Sequence, residues 1–132
     1  MSVKFQRINA AQYTEIIDDA KQNAIYVGEI DGKEARNLDE YLEMIWKAFQ
    51  FPDTGYVNYH AYMDWICDLS WLNANGYILV FHNFDKLLAQ SSRDRQIIIE
   101  SIDEDVLPWW EGEVERCVVG GKAKPFNVYL VD

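Results

Sequence analysis

The sequence predicts an α/β fold, a small three-stranded parallel sheet flanked by helices, and three observations predict it. Residues 77–81, YILVF, form a continuous apolar run of the kind found in a strand covered on both faces. Two further runs rich in β-branched and aromatic residues, IYVGEI at 25–30 and FNVYLV at 126–131, lie on either side of it in the chain. Helical patterns separate all three, and parallel neighbours need such crossovers, which are right-handed.

Taken in order, residues 10–23 place Ala11, Tyr13, Ile16, Ile17 and Ala20 at helical spacing, so an N-terminal helix is expected. Strand 25–30 stops at the turn dipeptide Asp31-Gly32. Asn37 with Glu40 three positions on resembles a capping box, and Leu38, Tyr41, Leu42, Ile45, Trp46 and Phe49 then make a broad apolar face. Pro52 ends that helix near Gln50. Asn58 caps the next helix, expected to run from Tyr59 to Ser70 or Trp71. Its polar edge carries His60, Asp64 and Asp68, while Tyr62, Trp65, Ile66 and Leu69 fill the opposite side. Asn73 to Gly76 breaks the chain before the central strand, and residues 84–90 leave room for one short helix. A further helix begins near Asp94 behind Ser91 or Ser92, with Ile97, Ile98, Ile102 and Val106 inward and Glu100, Asp103, Glu104 and Asp105 largely outward. Pro108 is expected to stop or kink it, and residues 109–124 carry no readable element.

At 132 residues, 49% of them hydrophobic, the chain can bury a real core and is too short for two ordinary domains. Twenty-two acidic residues against twelve basic ones disfavour a nucleic-acid partner and favour encounter with a basic protein. Cys67 and Cys117 lack the paired spacing of a zinc or redox motif, so free thiols in a reducing compartment are expected. With no signal-like h-region and no apolar run near the roughly 20 residues a membrane helix needs, a soluble cytoplasmic protein is expected, and it is taken as a monomer.

Little in the sequence points to chemistry. His60 and Asp64 lie one helical turn apart, as a base and its orienter do, but no serine or cysteine nearby has nucleophile-motif context. A metal set drawn from His60, Asp64, Cys67 and His82 lacks a diagnostic spacing, and no phosphate-binding glycine loop is present. No cofactor, metal or catalytic residue is expected.

The stretch 51–72, FPDTGYVNYHAYMDWICDLSWL, resembles the barstar family of intracellular ribonuclease inhibitors, whose pattern here runs FPxYFGxNWDALxDCLxDLxWL. Phe51, Pro52, Asn58, Ala61, Asp64, Asp68, Leu69, Trp71 and Leu72 match it, and the likeness extends to IYVGEIDG, LDEYLEMIWKAF, YILVFHNFDKL and FNVYLV. It divides the chain into an N-terminal helical extension, 1–24, and a barstar-like domain, 25–132. The resemblance implies an inhibitor or immunity protein without chemistry of its own. It would occlude the active site of a basic toxin, a secreted ribonuclease, with the loop and helix 53–71. The implied contact residues are Thr54, Tyr56, His60, Met63, Asp64 and Cys67, with Trp71 at the rim; Asn58 and Asp68 are read as structural. His60 stands where the family has a second helix-borne aspartate and Thr54 where it has a loop tyrosine, while Gly55-Tyr56 inverts the usual Phe-Gly. The family's last-helix glutamate has its counterpart among Glu100, Glu104 and Glu113. A non-inhibitory interaction module on the same fold, and a small hydrolase using His60 and Asp64, are the alternative readings.

Overall fold

A computed structural model describes residues 4–131 apart from Asp53, Thr54 and Tyr56. Strands β1 (Gln6–Ile8), β2 (Ile25–Asp31), β3 (Gly76–His82) and β4 (Phe126–Val131) form one parallel sheet in the order β1-β4-β3-β2. The sheet therefore has four strands rather than the expected three. The extra one, β1, is a three-residue segment whose sequence, QRI, is too short to register as a strand and which gains its conformation by pairing Gln6 to Ile8 with Tyr129 to Val131.

Helices α1 (Ala10–Gln22), α2 (Leu38–Ala48), α3 (Tyr59–Ile66) and α4 (Ser92–Glu100) supply the crossovers. The chain steps from β2 to β3 to β4 in one direction across the sheet, whereas β1 to β2 runs the opposite way. Crossovers of one hand then require opposite faces. On one face Ala20 of α1 packs with Ile78, Val80 and Val131. On the other, Ile30, Tyr77, Leu79 and Phe81 meet Ile45, Phe49, Tyr62, Ile66, Ile98 and Ile102 from α2, α3 and the final helical run. The predicted apolar run of β3 is buried throughout because both faces are covered.

Helix entries follow cap chemistry. Asn9 and Gln12 make a reciprocal capping box at α1, with the Gln12 amide donating to the Asn9 side chain at 2.8 Å. At α2 the expected box is only half made. Asn37 accepts from the Glu40 amide, but the Glu40 carboxylate turns to the backbone and guanidinium of Arg36 instead, because a charged bidentate partner outcompetes a single amide.

The last helix departs most from expectation. Ile97 faces solvent, and Pro108 does not stop the run: helical backbone continues from Ser92 to Cys117. After α4 the backbone widens into π-helical turns at Ser101–Val106 and Trp109–Glu113 and closes with α5 (Val114–Cys117). Pro108 sits between the two wide segments at φ −62°, a value its ring favours. Interrupting the regular ladder there accommodates its missing N–H.

Gly28 tests the packing of α2 on β2. A methyl group at this position would lie 2.4 Å from Cε2 of Phe49, which is fully buried. Gly28→Ala is expected to cost roughly 1–3 kcal/mol through overpacking. A lowered urea midpoint at unchanged slope is the expected readout.

Candidate protein-docking face

Short-range packing fixes α3 at both ends. Asn58 accepts from the Ala61 amide at 2.9 Å, capping the helix at the predicted residue. Phe51 is buried edge-on against Trp46 and Trp71, so the chain entering the loop is anchored in the core. The helix ends at Ile66, earlier than the expected Ser70 or Trp71, because Leu69 adopts φ 55° and drops its side chain into full burial. A left-handed leucine costs about 1–2 kcal/mol, which burial of a side chain this size offsets at roughly 1.5–3 kcal/mol. A 3₁₀ turn at Ser70–Leu72 follows, and the Trp71 indole donates to the Phe49 carbonyl at 2.9 Å. Trp65 and Trp71 meet edge to face with centroids 5.4 Å apart.

Two buried phenols join α3 to α2: the Tyr41 and Tyr62 hydroxyls are 3.1 Å apart, so each satisfies the other inside the core. Burial pushes Tyr62 up to about 12 and Tyr41 also well above its ordinary value, keeping both neutral. Ser101 interacts with Tyr62 and Tyr59 from the opposite side and donates to the Ile98 carbonyl at 2.7 Å. The Trp110 indole donates to the Ile66 carbonyl at 3.1 Å. Helix α3 is therefore held on two flanks and at both ends.

Of the sequence-predicted contact residues, His60 and Asp64 project to solvent one turn apart on α3, and Met63 and Cys67 lie half-buried beside them. Trp71 is half-buried and committed by its indole to the end of α2, so it frames the face from below. Thr54 and Tyr56 lie outside the described residues. Asp68 sits beyond the helix end and accepts from the Ser70 amide at 3.3 Å, a local turn bond.

The catalytic and metal constellations do not assemble. Among the described residues no hydrogen bond or ion pair joins His60 to Asp64, and no group of three or more His, Cys, Asp or Glu is placed to hold a metal. His82 belongs to the opposite layer. Its Nε2 is 2.7 Å from Glu29 Oε1, which also accepts from the Tyr13 hydroxyl at 2.6 Å. That bond, with some burial, pushes Tyr13 up to about 12.

From the final helical run the sequence offered Glu113 as one of three candidate glutamates but did not point to Asp105. Asp105 is near enough to Tyr59 and Cys67, and Glu113 to Cys67, to act on them electrostatically, so with Asp64 three carboxylates bear on one thiol. Ser101, Asp105, Trp109 and Glu113 recur every four residues. A regular α-helix would let that row drift by about 40° per step, but the wide π turns rotate less per residue and bring it back toward α3. The spacing is visible in the sequence; the stop or kink expected at Pro108 hid it.

No helix among the described residues is long and apolar enough to cross a membrane. The family model Barstar (barnase inhibitor) matches residues 25–130. Neither the curated proteins nor the solved structures gave a match to this chain.

Burial, then Asp105, Asp64 and Glu113, push the Cys67 thiol up to about 12. Because this folded value is raised, its stabilising contribution is complete below the unfolded thiol's range and lost as pH rises from about 9 toward 12. Iodoacetamide at pH 8.5 is expected to modify the exposed Cys117 first and to leave Cys67 largely unmodified until denaturant is added, as read by peptide mass spectrometry.

Proposed function

The chain belongs to the barstar family, and on that premise we propose that it is an inhibitor or immunity protein. It binds a basic toxin, a ribonuclease, one to one and covers the active site with α3 and the loop before it. It carries out no chemistry of its own. The observation that supports this reading most directly is the exposed Asp64 on a helix immobilised from both flanks, with Asp105 and Glu113 of the neighbouring helical run adding negative charge to the same side.

A ribonuclease pocket is lined with cations that hold substrate phosphates, and a helix-borne carboxylate can replace a phosphate there. Rigidity matters because each mobile side chain ordered on binding subtracts roughly 0.5–1.5 kcal/mol from the affinity. Here the caps, the tyrosine pair and the indole bonds have already ordered the helix on folding. The overall charge of −10 adds long-range attraction that raises the association rate and falls with salt.

His60 gives this face its own character. It lies at the start of α3, where the family carries an aspartate, and it is exposed on the same edge as Asp64. Carboxylates at Asp105 and Glu113 supply negative charge from the neighbouring helix instead. On this reading, Glu113 is the counterpart of the family's last-helix glutamate and Asp105 reinforces it, so the partner's cations meet a cluster displaced toward the middle of α3. The expected setting is the cytoplasm of the cell that makes the toxin, with the inhibitor acting as a monomer.

An RNA-cleavage assay with a basic ribonuclease that co-purifies with the protein from its native host tests the proposal. Stoichiometric inhibition is expected. Asp64→Asn should weaken binding by roughly 1.5–3 kcal/mol, or about tenfold to hundredfold, and added salt should slow association. Undiminished cleavage at saturating inhibitor, or binding indifferent to Asp64, Asp105 and Glu113 together, would remove the basis of the proposal.

A further inference from the structure

Strand β2 is an edge of the sheet. The Gly32 amide donates to the His82 carbonyl, and β2 pairs with β3 in register from Ile25 to Asp31. Backbone groups alternate in direction along a strand, so those of Tyr26, Gly28 and Ile30 point toward β3 and those of Ile25, Val27 and Glu29 point away from it. The Asp31 carbonyl, in the outward set, accepts from the Glu34 and Ala35 amides of the following turn. Among the described residues, no hydrogen bond partners the outward groups of Ile25, Val27 and Glu29.

This edge lacks two of the usual protections, short length and proline. It is seven residues long and contains no proline, whereas the opposite edge, β1, has only three residues. Outside β2 lies a groove of about 440 Å³, floored by Met44 and Ala48 and lined by Glu29, Glu34, Glu40, Glu43 and Lys47. Glu40, Glu43, Met44 and Lys47 are one stripe of α2, at the spacing that faces an added strand. The groove meets the unsatisfied strand edge at Glu29 and there joins it to an apolar floor and a predominantly negative wall.

We propose that β2 is a second docking surface, which accepts an extended, lysine- or arginine-bearing segment of a partner protein as a fifth strand. Main-chain bonds to Ile25, Val27 and Glu29 would hold the segment. Side chains on its α2 side would alternate between the Met44–Ala48 floor and the glutamates. Charge selects the occupant: a second copy pairing β2 with β2 would bring two glutamate clusters together, which is repulsive, whereas a basic segment is attracted. The surface does not depend on the α3 reading, because no α3 residue lines the groove.

A fluorescein-labelled peptide of about eight residues, alternating Lys and Val, tests this by fluorescence polarisation. Saturable binding is expected, with slowed amide exchange at Val27 and Glu29. The same peptide N-methylated at alternate residues keeps its charge but cannot pair, and should bind at least roughly tenfold more weakly. Glu43→Lys and a Glu-Val peptide should each weaken binding, whereas Asp64→Asn should leave it unchanged. Val27→Pro removes an outward N–H without touching the β3 ladder and should abolish binding in a protein whose circular dichroism is retained. Equal binding of the N-methylated peptide, no protection at Val27 and Glu29, or dimerisation of the protein through β2 would overturn the proposal.

Discussion

Parallel strands cannot be joined by tight turns, and this constraint organises the molecule. Every connection must leave the sheet, cross a face and return with the same hand. Since β1 lies beside β4 and β2 lies at the far edge, α1 must cross the face opposite to α2, α3 and the last helical run. Strand β3 is consequently closed in on both sides and at both edges, and its apolar composition follows from that position. The N-terminal segment completes the second layer, since without α1 the side chains of Ile78, Val80 and Val131 would face water.

The docking face depends on the same scaffold through a small number of directional bonds. Aromatic packing brings α2, α3 and the final run together, but apolar contact alone does not fix the rotation of a helix about its axis. The Tyr41–Tyr62 hydroxyl pair, the Trp71 bond to Phe49 and the Trp110 bond to Ile66 do so. Each places a buried polar group where one geometry satisfies it and others leave it bare, at a cost of about 1–3 kcal/mol. His60 and Asp64 therefore point outward as a consequence of bonds made on the buried side.

Fold class and the long strands were legible because each rests on a local pattern: an unbroken apolar run, a β-branched cluster, an asparagine three residues before a bonded amide. Asn58 illustrates this, since its role needs nothing beyond α3 itself. What was illegible depended on distant partners. β1 has no strand signature and exists through β4. The early end of α3 reflects the burial available to Leu69, which no periodicity announces. At Pro108 the local rule was sound and the inference from it failed, because the backbone met the missing donor by widening rather than stopping. The candidate site divides along the same line: residues within α3 could be named from its sequence and Glu113 only as one of three alternatives, whereas Asp105 comes near α3 through the path of a helix expected to stop or kink at Pro108.

The wide turns also bear on how such a chain tolerates change. An extra residue in an ordinary helix rotates everything beyond it by about 100°, taking buried side chains out of the core. A π turn absorbs the surplus locally, so Val106, Trp110 and Val114 keep their buried places on either side of it. Length can therefore vary in this part of the chain at small structural cost, and each variation shifts the phase of the side chains on the open flank. The hydrophobic seat and the pattern of charge beside it become separately adjustable, which allows one fold to present different charged surfaces by insertion as well as by substitution.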